Sequence, residues 1–210
     1  TQDWIDEQVL DELTKQKDTY LLMDETYRDM NFDSQIPVAA TLGSHVLSVS
    51  SLSKTYGLPG VRIGWIICKD ETLMEKFLAA KEQIMICGSV LDEEVAYHFL
   101  KKKQTFLPQI KASILERRKI LFDWFAQQQH LEWVKPEAGV VCFPRIKSIN
   151  PDHIEDFYRI LNKEYGTWVG PGHWFEMDRR YMRIGYGWPK NEELVKGLNC
   201  ITQTLKRIIK

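Results

Sequence analysis

Short, largely apolar runs alternating with helix-period segments predict an α/β fold, a mostly parallel sheet with helices, followed by a smaller α+β unit. Three observations lead there. Tyr20-Leu21-Leu22-Met23, residues 45–50 and Gly64-Trp65-Ile66-Ile67-Cys68 have the pattern of short strands covered on both faces. Between and beyond them apolar residues recur three and four positions apart, as amphipathic helices require. After about residue 130 the texture changes to short strands framed by two more helical patterns.

In chain order, Trp4, Ile5, Val9, Leu10 and Leu13 predict a first amphipathic helix ending near Lys17. The apolar run at 20–23 closes at Asp24, and the second and third strands follow. From about Glu71 to Ile86, residues Leu73, Met74, Phe77, Leu78 and Ile84 form an apolar stripe. A further helix is expected from Val90 to about Lys102, with Val95, Ala96, Phe99 and Leu100 turned inward. Pro108 interrupts that pattern, since proline lacks an N–H and its ring clashes with the preceding turn. Ile110, Ile114, Leu121, Trp124 and Phe125 continue it as a long helix ending near His130. Strands are then expected around 131–134 and 140–143, and a helix with Ile154, Phe157, Tyr158 and Leu161 on one face. Strands near Trp168-Val169 and 181–185 precede a closing helix with Leu194, Val195, Leu198, Ile201, Leu205 and Ile208 inward. The boundary falls near 106–110, giving a first domain over residues 1–107 and a small C-terminal one over 108–210.

Composition excludes several classes of function. The 210 residues are 44% hydrophobic and 27% charged with a formal net charge of -1, an ordinary globular profile. No apolar run approaches the roughly 20 residues of a membrane-spanning helix. The acidic start, Thr1-Gln2-Asp3-Trp4-Ile5-Asp6-Glu7, lacks the features of a signal peptide, so a cytoplasmic location is expected. Near-balanced charge offers no field for nucleic acid, and Lys101-Lys102-Lys103 reads as a solvated helix end. Cys68, Cys87, Cys142 and Cys200 lie far apart and read as small buried residues; neither they nor the five histidines have metal-ligand spacing. No metal is expected.

The chemistry concentrates in Ser51-Leu52-Ser53-Lys54-Thr55-Tyr56-Gly57-Leu58-Pro59-Gly60-Val61-Arg62-Ile63-Gly64, directly after a strand. A lysine at the end of an apolar strand loses its proton cheaply when desolvated, and the neutral amine forms a Schiff base with an aldehyde such as that of pyridoxal 5′-phosphate. Ser51, Ser53 and Arg62 offer hydroxyl donors and a guanidinium fork to a phosphate, while Gly57 and Gly60 let the backbone turn closely around it. Upstream, Asp24 closes a strand and Tyr27 follows by three, so both can face one ligand at the C-terminal strand edge, where open α/β sheets bind ligands. A carboxylate there keeps a pyridine nitrogen protonated, and a phenol hydrogen-bonds a ring hydroxyl. Asp24 read alone is equally a helix N-cap before Glu25-Thr26.

With Met23-Asp24-Glu25-Thr26-Tyr27, Ser51-Leu52-Ser53-Lys54 followed eight residues later by Arg62, and Tyr181-Met182-Arg183-Ile184-Gly185 in this order, most of the chain resembles the class I/II aminotransferases of pyridoxal-phosphate fold type I. The resemblance implies part of the large cofactor-binding domain over 1–107 and the small domain over 108–210. It also implies pyridoxal 5′-phosphate as cofactor, with Lys54 as the Schiff-base lysine and proton shuttle. Asp24 and Tyr27 would face the ring, Ser51, Ser53 and Arg62 the phosphate, and Arg183 the substrate α-carboxylate. An amino acid and a 2-oxo acid are the implied substrates, and a homodimer the implied assembly. Trp168 to Phe175 resembles the family's substrate-side loop, with His173 and Trp174 near the entrance; Arg179 and Arg180 are expected to face solvent.

The family's phosphate-binding glycine loop, its ring-stacking aromatic and an asparagine near the ring hydroxyl have no counterpart here, and the chain reads as the C-terminal part of a longer one. An exposed strand edge and apolar surface are therefore expected, and association with a partner or complementing segment. The same residues serve decarboxylases, lyases and α-oxoamine synthases, so amino transfer is one of several reactions that fit. A non-catalytic fragment, or the aminotransferase-like effector domain of a transcription regulator, would carry the same motifs.

Overall fold

The computed structural model describes residues 19–32, 35–147, 149–150 and 153–209, together with Glu12 and Thr14. The helix expected from Trp4, Ile5, Val9, Leu10 and Leu13 lies outside the described residues. The chain divides into two compact units, one ending at Ile110 and the other beginning at Lys111.

The first unit is built on strands β1 (Leu21–Asp24), β2 (Val46–Ser51) and β3 (Gly64–Ile67), in the order β1-β2-β3. β1 pairs parallel with β2, from Leu21↔Val46 to Asp24↔Val49. β3 runs antiparallel to β2, from Ser48↔Ile67 to Ser51↔Gly64. The sheet is thus mixed rather than wholly parallel, because residues 52–63 form a tight return closed by the Leu52 N–H donating to the Ile63 carbonyl at 3.0 Å. Gly64 permits that close return, as a Cβ there would sit 3.0 Å from the Ser50 carbonyl oxygen.

Only β2 is a buried strand. Val46, Leu47 and Ser48 are almost fully covered, and the Ser48 hydroxyl accepts from the Ala40 N–H at 2.9 Å, so its burial leaves no orphan group. β1 alternates between half-buried and exposed residues, and most of β3 is exposed, since each lies at an edge of the described sheet. Tyr20, Leu22, Ile66 and Ile67 present apolar surface, in keeping with the exposed edge that the sequence predicts.

Helix α1 (Glu71–Ile84) starts at Asp70, whose carboxylate accepts from the Leu73 N–H at 3.0 Å. Its apolar stripe finds no cover, and none of its residues is buried among the described ones. Helix α2 (Val90–Lys101) is capped by Ser89 and begins with acidic Asp92 and Glu93 where the helix dipole favours them. Ala96 and Phe99 point inward as expected, but Val95 and Leu100 face solvent. The break before helix α3 (Lys103–Phe125) falls at Lys102, whose backbone leaves the helical region; Pro108 lies inside α3. One core cluster of this unit is Leu52, Tyr56 and Ala96, with Leu58, Val61, Ile63, Trp65, Phe99 and Leu107 packed against it; Met30, Ala40, Val46 and Leu47 are buried as well.

The second unit joins the C-terminal part of α3 to two small antiparallel sheets and two helices. β4 (Leu131–Glu132) pairs with β6 (Arg145–Ile146); β5 (Val141–Cys142), β8 (Met182–Gly185) and β7 (Gly170–Pro171) form the order β5-β8-β7. Helices α4 (Ile154–Lys163) and α5 (Asn191–Ile208) close the unit. Phe157, Leu161, Met182, Tyr186, Leu198, Ile201 and Leu205 are almost fully buried and make up its core. The strand expected at Trp168-Val169 begins instead at Gly170, leaving Trp168 exposed. Cys142 and Cys200 are buried as expected, but Cys68 is half-buried and Cys87 exposed, because Cys87 sits in the uncovered link between α1 and α2.

Candidate active site

Asp24 ends β1, and the ladder extends one residue past it through the Glu25 N–H donating to the Val49 carbonyl at 2.8 Å. The chain then turns. The Asp24 carboxylate accepts from the Thr26 hydroxyl and, at 3.0 Å, from the Thr26 N–H, a side-chain turn rather than the N-cap of an α-helix. These two hydrogen bonds outweigh the slight burial and hold the carboxyl below the usual aspartate range, so Asp24 is an exposed anion at neutral pH. Tyr27 follows on the surface, ahead of a 3₁₀ turn over Arg28–Met30.

The loop after β2 is shaped by one buried leucine. Leu52 is fully buried, and its carbonyl accepts from the Leu58 N–H at 2.9 Å, so the residues between loop outward. Gly57, at φ +70°, closes the inner turn by donating to the Lys54 carbonyl at 3.1 Å. The Lys54 side chain is exposed and its amine engages no described residue. Around it the Ser51 hydroxyl accepts from the Ser53 N–H at 3.3 Å, and Arg62 Nη1 donates to the Pro59 carbonyl at 2.9 Å and approaches Ser53 Oγ at 3.5 Å. Arg62 has a left-handed backbone at φ 55°, a conformation L residues other than glycine seldom adopt and one that marks stored strain.

The turn after β1 and the lysine loop are tied together by two contacts. The Thr55 hydroxyl donates to the Thr26 carbonyl, and the Tyr56 hydroxyl donates to Asp29 Oδ2 at 2.7 Å. Asp29 in turn meets Lys103 Nζ at 2.5 Å and Arg28 Nη2 at 3.4 Å. Burial works against the Asp29 charge, but Lys103, the Tyr56 hydroxyl and Arg28 outweigh it and hold the carboxyl below its ordinary range. Burial, reinforced by the adjacent Asp29, pushes the Tyr56 phenol up, so it stays a donor. Lys103 is therefore drawn into an ion pair rather than left as a solvated helix end. Sequence reasoning misses Thr26, Asp29, Thr55, Tyr56 and Lys103. Asp24-Glu25-Thr26 carries a recognisable turn signature; the other partners come from distant segments, and no local spacing announces them.

Asp24, Tyr27, Ser51, Ser53, Lys54 and Arg62 thus belong to the first unit, and Arg183 to the second. Strand alternation sets the Arg183 direction: Met182 and Ile184 are buried, so Arg183 faces out. Its guanidinium lies 4.6 Å from the centre of the Phe175 ring and pairs with no carboxylate among the described residues. Gly170 keeps that arrangement open, since a Cβ there would come within 3.3 Å of Phe175 and 3.4 Å of the Arg183 Cβ. Arg179 and Arg180 are half-buried and paired rather than solvent-facing. Arg179 bridges Glu155 and the His173 ring, and Arg180 chelates Asp178. Trp174 is exposed. Among the described residues no group of His, Cys, Asp and Glu could hold a metal ion, and no helix is long and apolar enough to cross a membrane.

Chemically, the first unit offers an unengaged amine, a serine–arginine cluster able to receive an anion, and a lowered carboxylate on one sheet edge; the second offers an unpaired guanidinium. The family model for aminotransferase class I and II matches residues 3–199. Capreomycidine synthase of Streptomyces vinaceus is 30% identical over 198 residues, covering 92% of this chain and 49% of its own length. An uncharacterized aminotransferase of Saccharolobus solfataricus is 26% identical, covering 93% and 50%. The crystal structure of a PLP-dependent aminotransferase from Streptococcus suis superposes with a TM-score of 0.88 at 31% identity, covering 97% of this chain and 53% of that one. The chain spans about half the length of the curated relatives it matches. With that match along nearly its whole length, the chain belongs to the class I and II aminotransferase family.

Proposed function

We propose that the protein is the C-terminal half of a pyridoxal 5′-phosphate-dependent aminotransferase, moving an amino group from an amino acid to a 2-oxo acid. The observation that carries this is the unengaged Lys54 amine on a loop pinned to the Asp24 turn. The residues present suit the cofactor: an exposed carboxylate kept ionised, two serines beside an arginine, and an amine with no competing partner among the described residues. Bound pyridoxal 5′-phosphate supplies an aldehyde for an amine and a protonated ring that draws electrons from the substrate Cα.

The chain's own residues divide the remaining work. Asp24 holds the proton on the ring nitrogen, and the Tyr27 hydroxyl donates to the ring oxygen. Ser51, Ser53 and Arg62 bind the phosphate, the charge of Arg62 assisting the serine donors. Lys54 Nζ would take the proton from the substrate Cα and hold it as the general base of the reaction. Arg183, unpaired and steadied by Phe175, binds the substrate α-carboxylate through its planar fork.

A homodimer is part of the reading, supported by the uncovered apolar link from Ile84 to Leu91, where Ile84, Ile86, Val90 and Leu91 are each more than 70% exposed. The evenly balanced charge supports a reading without nucleic-acid partners, and a cytoplasmic enzyme without membrane partners is part of the proposal. A second reading, another reaction on the same cofactor, rests on the Streptomyces vinaceus relative being named a synthase.

The decisive experiment adds pyridoxal 5′-phosphate to the purified chain, reduces with borohydride and locates the added mass by peptide mass spectrometry. Labelling of Lys54 is expected, with amino exchange requiring a 2-oxo acid acceptor in the full-length enzyme. Absence of label on Lys54 in the full-length enzyme sinks the assignment, absence in this chain alone means that cofactor binding needs the longer protein, and turnover without an acceptor favours the second reading.

A further inference from the structure

Lys54 has no side-chain partner among the described residues, yet its position must be fixed for its amine to meet a substrate carbon. The residues flanking it on the C-terminal side do the opposite of Lys54: both are buried and both are tied to the segment that follows Asp24. Thr55 is 2% exposed and donates its hydroxyl to the Thr26 carbonyl. Thr26 in turn donates its own N–H and hydroxyl to Asp24. Tyr56 is 6% exposed, packs its ring against Phe99 and Trp65, and donates to Asp29 at 2.7 Å. Asp29 is fixed by Lys103 and Arg28 and therefore cannot swing away from the phenol without giving up its ion pair with Lys103.

We infer that Thr55 and Tyr56, through Thr26 and Asp29, are positioning residues that set the register of Lys54 against Asp24. This rests on the reading of Lys54 and Asp24 as the cofactor's amine and ring-nitrogen partners. Thr55 spans from the lysine's neighbour to the backbone of the very residue that orients the Asp24 carboxylate, so the two reactive groups share one short hydrogen-bonded path. Tyr56 and Asp29 brace the same path from behind. The serine–arginine cluster is not part of it: Ser51, Ser53 and Arg62 bond among themselves and to Pro59. Loss of the brace therefore disturbs the placement of the amine without disturbing the anion cluster.

The test separates rate from affinity. In the full-length enzyme, borohydride-trapped labelling of Lys54 is followed against pyridoxal 5′-phosphate concentration for wild type, Thr55→Val, Thr55→Ser, Tyr56→Phe and Asp29→Asn. Thr55→Val and Tyr56→Phe are expected to lower the labelling rate at saturation by about tenfold, with half-saturation unchanged within about twofold. Thr55→Ser, which keeps the hydroxyl, restores the wild-type rate. The Tyr56→Phe and Asp29→Asn effects add only in part, because both weaken the Tyr56–Asp29 contact while Asp29→Asn also loses the ion pairs with Lys103 and Arg28. A saturating rate equal to wild type in both Thr55→Val and Tyr56→Phe overturns the inference, and so does a loss confined to half-saturation. A full-length wild-type enzyme that takes no label on Lys54 sinks the cofactor reading instead. The inference is then decided by deuterium exchange at the Gly57 and Leu58 amides, which close the lysine loop. Faster exchange in Thr55→Val but not in Thr55→Ser supports it, and equal exchange in all variants overturns it.

Discussion

Helices α1 and α5 carry the same kind of apolar stripe but differ in what they cover. α5 buries Leu194, Leu198, Cys200, Ile201, Thr204 and Leu205, whereas α1 buries none of its fourteen residues. The second unit is closed around its own core; the first keeps its core under the lysine loop and leaves its outer helices and sheet edges uncovered. Periodicity shows that a helix has an apolar face, not that a surface exists to receive it. The uncovered elements agree with a chain that spans half the length of its relatives.

The largest expected effect that separates the units is chemical. Lys54→Ala should abolish pyridoxal 5′-phosphate labelling of the first unit completely, and a borohydride-stable adduct persisting elsewhere on the same loop would break the assignment. Next comes packing. Phe157→Ala, in the core of the second unit, should cost about 3–5 kcal/mol in denaturant unfolding, whereas Leu78→Ala on α1 should stay within about 0.5 kcal/mol. Equal costs would mean that α1 is covered in solution. Arg183→Ala should raise KM for α-carboxylate substrates of the full-length enzyme by at least about tenfold and leave Lys54 labelling intact. Loss of labelling would place Arg183 in the cofactor site instead.

The smallest effect concerns Asp24. Its folded-state pKa is depressed, so its stabilising contribution is present above the unfolded aspartate value of about 3.9 and is lost as pH falls through the folded one. Thr26→Val removes the larger of its two donors and should move the carboxyl titration, followed by NMR, upward. An unmoved titration would mean that the Thr26 hydroxyl does not set this charge.

Much of the fold was legible because β2, α4 and β8 bury the residues their patterns mark, and α5 does so except at Val195, which was expected inward but is exposed at the margin of the apolar stripe. The motif residues were legible because their chemistry is local: Ser51, Ser53, Lys54 and Arg62 lie within twelve positions of one another. What escaped were contacts between segments far apart in sequence, above all Tyr56 with Asp29 and Lys103. The solvated helix end expected of the lysine triplet holds for Lys101 and Lys102, but half-buried Lys103 departs from it, since one carboxylate, Asp29, decides where one of three neighbouring cations goes. Likewise the antiparallel β3 depends on a return loop whose twelve residues form no α-helix, a geometry that apolar runs alone do not distinguish from a crossover.

The left-handed backbone at Arg62 has a consequence for laboratory evolution. Glycine adopts φ 55° without the penalty of about 1–2 kcal/mol that an L side chain bears there. Selection for thermal tolerance alone would thus favour Arg62→Gly and delete the guanidinium beside Ser53, hardening the scaffold while erasing its anion cluster. Retention of arginine under a combined selection for heat tolerance and turnover would reveal how strongly catalysis opposes the most comfortable backbone.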